Sequence, residues 1–262
     1  MCHSLTSGSR VARTLTREYM LLLTGLLWFS GGCSEVATPM PEPPPDAPAT
    51  GPIDITLLGP PTKGIIESTA NGEAHELDGK AGSVPGLAEV RVTNLDSTEQ
   101  AYSTTAFSDG HFSIEVPVVF GNELRFEWQL ADARSVPADA LFLEDPQAPD
   151  GFVLQSSPRF DCVMLSPGFV LDFGAAQSNT LSLQIDNQCQ NELSVDAQSL
   201  RRMLPDFKPA TIVPLAISVG STATLDVTYT RSSNAAVEDT LFFDLTQSST
   251  TIRYPVTLSA DP

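Results

Sequence analysis

The stretch from Val213 to Thr230 has the sequence VPLAISVGSTATLDVTYT, and its pattern decides the fold. Apolar side chains occupy every second position in two runs, which are Leu215, Ile217 and Val219, then Leu225, Val227 and Tyr229. Because successive side chains of a β-strand point to opposite faces, this alternation predicts two half-buried strands. Gly220, between the runs, marks the turn.

The same alternation fills the rest of the C-terminal part of the chain. Four further apolar runs have this spacing: Phe169, Leu171 and Phe173; Leu181, Leu183 and Ile185; Leu241, Phe243 and Leu245; and Ile252, Tyr254, Val256 and Leu258. Six half-buried strands need two facing sheets, so residues 160–262 are predicted to form an antiparallel sandwich. The segment SLRRML, Ser199–Leu204, interrupts the pattern and predicts a short helix.

Residues 53–159 predict a second all-β unit of the same kind. Their alternating runs are Ala88, Val90 and Val92; Phe112, Ile114 and Val116; and Leu124, Phe126, Trp128 and Leu130. Turn dipeptides such as Asp109-Gly110 and Gly121-Asn122 separate the runs, and no long stretch has the 3.6-residue period of a helix. The fold class is therefore all-β, with two antiparallel sandwiches in series.

Two family resemblances refine this prediction. The C-terminal order CVMLSPGFVLDFG, LSLQIDNQC, VPLAISVGSTATLDVTYT, DTLFFDL and IRYPVTLSA resembles the ASPM/SPD-2/Hydin type of Ig-like domain. The segments AEVRV, SDGHFSIEVP and GNELRF resemble bacterial Ig-like modules and the carboxypeptidase-regulatory-like sandwich. The resemblances imply that both sandwiches are Ig-like modules that act as spacers or binders.

The N-terminus has the layout of an export signal. Arg10, Arg13 and Arg17 precede an apolar run, MLLLTGLLWF, from Met20 to Phe29. Its ten residues are half of the roughly 20 that a membrane-spanning helix needs, so residues 1–32 are better interpreted as a signal peptide than as a transmembrane anchor.

The segment FSGGC, which ends at Cys33, resembles the lipobox of bacterial lipoproteins. The resemblance implies that Cys33 carries diacylglycerol and an added fatty acid such as palmitate. Ser34, where an aspartate would retain a lipoprotein at the inner membrane, points to the outer membrane. The departure is Ser30, where the family has leucine, and cleavage without lipidation followed by secretion is the alternative.

Residues 33–52 join the lipidation site to the first sandwich. Seven of them are proline, and few can be buried, so this linker is predicted to be disordered or an extended polyproline spacer.

The charge of the chain excludes one class of partner. The net charge is −18, and removal of residues 1–32, which contain three arginines and one glutamate, makes it −20. Such a chain repels phosphate backbones, so no nucleic-acid binding is expected. The predicted partners are the membrane, through the lipid, and an envelope protein or glycan.

Cys162 and Cys189 are predicted to form a disulfide. Export places both thiols in an oxidising compartment. Cys162 opens one strand and Cys189 follows Leu181, Leu183 and Ile185 with the same parity, so antiparallel pairing brings both to one end. Two buried free thiols are the alternative.

The sequence contains no recognisable catalytic motif, and we predict neither a catalytic residue nor a cofactor. His75, interpreted as part of an acidic loop, has no ligand partner at metal spacing, and His111 should face solvent. Glu144, Asp145 and Asp150 are the sole weak candidates for calcium, and a solvated inter-domain loop is their simpler interpretation.

These observations predict a non-catalytic lipoprotein that presents binding or structural modules in the bacterial cell envelope. The alternatives are an accessory glycan-binding or adhesion protein and a hydrolase with a cryptic carboxylate pair. Exposed aromatic residues in loops would favour the first alternative, and a deep acidic cleft would favour the second.

Overall fold

A computed structural model describes residues 51–64 and 72–262 of the chain. The predicted signal peptide, Cys33 and nearly all of the proline-rich linker lie outside these residues. Within the described part, no helix is long and apolar enough to cross a membrane.

The described residues form eighteen strands and one short 3-10 turn, Ile55–Leu57. Up to residue 156 the strands are β1 Thr62–Lys63, β2 Glu73–Gly79, β3 Glu89–Asn94, β4 Tyr102–Thr105, β5 Phe112–Val118, β6 Glu123–Leu130, β7 Ala133–Arg134, β8 Ala138–Glu144 and β9 Phe152–Ser156. From residue 163 they are β10 Val163–Ser166, β11 Val170–Asp172, β12 Ser178–Asn187, β13 Leu193–Leu200, β14 Phe207–Pro209, β15 Leu215–Ile217, β16 Thr222–Thr230, β17 Val237–Gln247 and β18 Thr250–Ala260.

Strands β1–β9 form the first sandwich. One sheet has the order β1-β2-β5, and the other has the order β4-β3-β6-β8-β9, with β7 paired to β6. The two sheets enclose a core that includes Leu77 and Ile114 from the small sheet and Val90, Phe126 and Phe142 from the large one. These side chains face the core because apolar and polar residues alternate along each strand, as the sequence predicts.

Strands β10–β18 form the second sandwich. A four-stranded sheet, β10-β12-β16-β14, faces a five-stranded sheet, β11-β18-β17-β13-β15. All pairs are antiparallel except β11 with β18, which is parallel. Leu183 and Val227 from one sheet meet Val195, Phe243 and Val256 from the other in a continuous core. The predicted all-β sandwich class is confirmed.

The structure differs from the sequence prediction at Val219 and at Ser199–Leu204. Val219 lies beyond the end of β15 and is 56% exposed. The predicted helix is wrong, because β13 continues to Leu200 and the next residues form an irregular turn. The carboxylate of Asp239, on β17, accepts hydrogen bonds from the backbone N–H groups of Arg202 and Leu204. Asp239 fixes the turn, because its carboxylate accepts from backbone N–H groups that in a helix would point along the helix axis.

Gly110 is the glycine whose replacement should be most costly in the first sandwich. Its φ is +81°, and a Cβ at this position would lie within van der Waals overlap of the carbonyl oxygen of Val84. We expect Gly110→Ala to lower the free energy of unfolding by about 2 to 3 kcal/mol, because left-handed strain and a steric clash add together.

Urea unfolding of matched variants tests this expectation. Gly121 also has a left-handed φ, +85°, but has open space where a Cβ would lie. Gly121→Ala should therefore cost about 1 kcal/mol, which is the strain alone. Equal losses in the two variants would show that the contact with Val84 is not a steric constraint.

Candidate functional site

A charged junction joins the two sandwiches, and it is the most elaborate polar arrangement in the described residues. It forms where the outer face of β6 meets the outer face of β17 and β18, through hydrogen bonds such as that from Arg125 to Thr257. On β6 the outward residues Glu123, Arg125 and Glu127 are all buried. The sequence predicts a half-buried strand here, and this prediction is wrong because the second sandwich covers the face that would otherwise meet water.

Arg125 lies at the centre of the junction, with a side chain only 1% exposed. Its Nε and Nη2 donate to the two carboxylate oxygens of Asp139, at 2.7 and 2.9 Å. Nη1 donates to the hydroxyl of Thr257 at 2.8 Å, and Nη2 also donates to the carbonyl of Pro255 at 2.7 Å. A planar guanidinium suits this role, because it can hold a carboxylate in one sandwich and backbone and hydroxyl oxygens in the other.

A second set of ion pairs centres on Glu238 of β17. Arg91 of β3 donates to both its carboxylate oxygens, at 2.8 and 3.0 Å. Arg134 of β7 donates to Glu238 at 3.3 Å and to Glu127 at 3.0 Å, so one guanidinium bridges a carboxylate from each sandwich.

A third set lies at the opposite side of Arg125. Arg253 of β18 donates to Asp96 at 2.8 Å and to Glu123 at 2.9 Å, both in the first sandwich. Arg159, in the segment between β9 and β10, donates to Glu123 and Asp139 and lies 5.3 Å from the ring centroid of Tyr254. The connecting segment is therefore part of the junction rather than a free linker.

The carboxylates of the junction titrate differently according to their neighbours. Burial alone would raise the pKa of Asp139, but the charges and hydrogen bonds of Arg125 and Arg159 outweigh it and lower the pKa. The pKa of Glu238 is likewise lowered, because Arg91 and Arg134 outweigh the effect of burial. At Glu127 burial prevails over Arg134 and Arg125 and raises the pKa. Asp139 and Glu238 are thus the firmly ionised partners of the arginines.

A polar cleft of about 590 Å³ opens beside Glu238, between the two sandwiches. Glu89, Gln129 and Asp132 line the wall from the first sandwich. Arg202 and Asp261 are among the residues that line the other wall. Both signs of charge face the cleft, so it is not the deep acidic cleft that would favour a hydrolase.

The predicted disulfide is present. Cys162 and Cys189 are bonded, with their Cα atoms 4.8 Å apart. The reason is the predicted one, since β10 pairs antiparallel with β12 in a register that places Val163 opposite Asn187. Cys33, the predicted lipidation site, lies outside the described residues.

The calcium candidates do not assemble into a site. Glu144, Asp145 and Asp150 lie at or beyond the end of β8, in the connection to β9, which is a hairpin within the first sandwich and not an inter-domain loop. Asp145 instead accepts a hydrogen bond from the backbone N–H of Gln147 at 2.8 Å. In the described residues, no group of three or more His, Cys, Asp or Glu side chains has the geometry of a metal site.

The two histidines occupy different environments. The loop that the sequence predicts at His75 is wrong, because His75 lies on β2 and is 3% exposed. The centroid of its ring lies 4.8 Å from that of Phe142 and 4.5 Å from that of Phe152. Burial lowers its pKa, and its Nδ1 has no hydrogen-bond partner. His111 is partly exposed, with a side chain 43% accessible, and is stacked on Phe107.

No protein-family model and no curated protein matches this sequence. Among solved structures, the chain is similar to the VesB protease of Vibrio cholerae, at 11% identity and a TM-score of 0.36, over 70% of this chain and 65% of that one. It therefore spans less than two thirds of the VesB chain. A Porphyromonas gingivalis protein of unknown function is similar at 9% identity and a TM-score of 0.33, over 79% of this chain and 100% of that one. The D0-D1 domain of intimin is similar at 9% identity and a TM-score of 0.25, over 74% of this chain and 94% of that one. Similarity at this level carries no functional argument.

Sequence reasoning missed the junction, although one signal pointed to it. The described residues contain eight arginines and three lysines. Seven of the eight arginines lie in the junction or the adjoining cleft: Arg91, Arg125, Arg134, Arg159, Arg201, Arg202 and Arg253. Arginine is the cation suited to buried, bidentate pairing, so its excess over lysine in an acidic β protein indicates a charged interface.

Proposed function

We propose that this chain is a lipid-anchored protein of the bacterial outer membrane whose two sandwiches act as one rigid, non-catalytic unit for binding or structural support. The observation that carries the proposal is the junction, with Arg125 sealed between the sandwiches. Every guanidinium nitrogen of Arg125 has a hydrogen-bond partner, and a small shift of the second sandwich would remove Thr257 and Pro255 while the charge stayed buried, so the junction defines one relative arrangement.

A rigid two-module unit suits a spacer or a presenter of binding loops. Flexible sandwiches on a flexible linker would present their loops in many orientations, whereas the junction fixes both modules relative to each other. Two resemblances support an envelope role of this kind: that of the second sandwich to ASPM/SPD-2/Hydin-type domains, and that of the segment ending at Cys33 to a lipobox.

The non-catalytic part of the proposal is supported by how the buried carboxylates are used. Glu127 and Glu238 share Arg134, and their pKa values are shifted in opposite directions, as in a hydrolase pair. However, Glu127 is 2% exposed and is not among the residues that line the cleft, so substrate would have no path to it. We therefore assign this pair to the junction.

The lipid anchor is tested by metabolic labelling with an alkynyl fatty acid. We expect the wild-type chain and Cys2→Ala to incorporate label and to sediment with membranes, since Cys2 precedes the signal. Cys33→Ala should lose both label and membrane association, because Cys33 is the proposed attachment site of the acyl chains that anchor the protein. Label retained by Cys33→Ala would place the anchor elsewhere and overturn this part of the proposal.

A further inference from the structure

Phe107 and Leu87 form an exposed apolar platform at one end of the first sandwich. Phe107 is 58% exposed and Leu87 is 64% exposed, and the backbone N–H of Leu87 donates to the carbonyl of Phe107 at 3.3 Å. The Phe107 ring is stacked on His111, with centroids 4.0 Å apart and an interplanar angle of 7°. His111 covers one ring face, and the exposed fraction indicates that the other face is open.

The platform is held in place by its own loops. Phe107 N–H donates to the carbonyl of His111 at 2.8 Å, and Gly110 N–H donates to the carbonyl of Phe107 at 2.9 Å. The His111 ring is fixed by Asp109, whose Oδ1 lies 2.5 Å from Nδ1. An aromatic ring fixed with one face open needs little ordering when it binds a partner.

Leu87 adds a second indication that the platform serves binding. Its φ is +64°, a left-handed conformation that a branched side chain adopts at a cost, and yet the side chain is mostly exposed. Burial of Leu87 therefore contributes little to the free energy of folding, and does not offset the cost of its left-handed backbone. Such strain is found preferentially at functional sites.

The charge around the platform indicates the chemistry of the occupant. In the described residues, 27 side chains are carboxylates, and six of them pair with arginines of the junction or cap the turn after β13. Four more, Glu89, Asp132, Asp172 and Asp261, line the cleft together with arginines. The remaining 17 compare with only four basic side chains outside the junction and cleft: Lys63, Lys80, Lys208 and Arg231. By placing its arginines between the sandwiches, the chain leaves an outer surface that attracts cations.

One acidic side chain lies beside the platform. Asp109 is 55% exposed, and its Oδ1 contacts the Nδ1 of His111, the residue whose ring is stacked on Phe107.

We propose that this platform docks a basic segment of a protein partner, with a Lys or Arg side chain over the open face of Phe107 and an apolar neighbour on Leu87. This inference rests on the proposed binding function and names its partner class. A cation over an aromatic face is attracted by the negative charge of that face, and arginine also stacks on it. The acidic surface accelerates the encounter and disfavours anionic polymers.

The test uses the full chain in mild detergent and a synthetic peptide of Arg-Leu-Ser repeats labelled with a fluorophore. Binding is followed by fluorescence anisotropy, and NMR shifts of the Phe107 ring identify the site. We expect the peptide to bind, the matched peptide with Glu in every Arg position not to bind, and Phe107→Ala to weaken binding at least about fivefold.

Phe120→Ala is the matched control. Phe120 is 52% exposed on the turn between β5 and β6, where it stacks on Phe142, so its loss removes an equally exposed phenylalanine from the same sandwich. It should leave peptide affinity unchanged. Leu87→Gly should weaken binding while raising the melting temperature, because glycine relieves the left-handed strain.

Three results would overturn the inference. Equal affinity in wild type and Phe107→Ala would show diffuse charge attraction without a docking point. Shifts at Phe107 caused by a cello-oligosaccharide but not by the basic peptide would assign the platform to glycans, and shifts at Phe107 caused by phosphatidylcholine vesicles added to the Cys33→Ala chain would assign it to lipid. Because every result is read at Phe107 and not from membrane association, the outcome is independent of the labelling experiment on the anchor.

Discussion

Replacement of Arg125 with methionine should lower the free energy of unfolding by about 3 to 5 kcal/mol. The side chain is 1% exposed and provides hydrogen bonds to Asp139, Thr257 and Pro255. Without the guanidinium, Asp139 keeps only Arg159 as a charged partner while it remains buried. The measurement is urea unfolding, monitored separately by signals from each sandwich.

Arg231→Met is the control for this variant. Arg231 lies outside the junction, where its Nη2 donates to the carbonyl of Asp261, so its loss should change the free energy of unfolding by less than about 1 kcal/mol. The double replacement Arg125→Met with Asp139→Leu should recover much of the stability lost in the single variant, because removing both charges leaves no unpaired ion in the interior. If Arg125→Met alone were as stable as wild type, the junction would not be closed in solution.

The titration of Asp139 determines how the stability of Arg125→Met should depend on pH. The pKa of this carboxyl group is lowered in the folded chain by Arg125 and Arg159, despite burial. Its contribution to stability is therefore fully present above the ordinary pKa of about 4 and is lost as the pH falls through the lowered folded value. In Arg125→Met the pKa of Asp139 should rise, so this part of the acid-dependent loss of stability should diminish.

The cores of both sandwiches could be predicted because apolar residues alternate with polar ones along each strand, so neighbouring residues alone show which face is buried. Val90 and Phe126 in the first sandwich, and Leu183 and Leu225 in the second, are all fully buried on the predicted faces. The junction could not be predicted in this way. Glu123, Arg125 and Glu127 have the polarity of a solvent-facing row, and only the docking of β17 and β18 on that row distinguishes a buried network from an exposed one.

The other errors have the same origin in distant partners. The turn at Arg202 and Leu204 takes its conformation from Asp239, 35 residues or more along the chain. His75 is placed on a strand by its register opposite Val116, although the neighbouring Glu73 and Glu76 give the segment the polarity of a loop. Short-range patterns contain no information about such pairings.

Removal of the disulfide should be the second large effect. The double variant Cys162→Ala with Cys189→Ala should lose about 3 to 4 kcal/mol, because the bond closes a loop of 27 residues and restricts the unfolded chain. Cys189 is also 3% exposed in the core, so alanine leaves a small gap there. Urea unfolding should show the loss together with a larger m value, since the unlinked chain exposes more surface when it unfolds.

Two measurements separate this explanation from a packing effect. Reduction of the wild-type chain should reproduce most of the loss without changing any side chain in the core, whereas a packing effect would appear only in the alanine variant. Thiol counting on denatured, unreduced chain made without Cys2, and with Cys33 blocked by lipid, should find no free thiol. Two free thiols would contradict the antiparallel register that places Val163 opposite Asn187, and with it the reason that Cys162 and Cys189 meet.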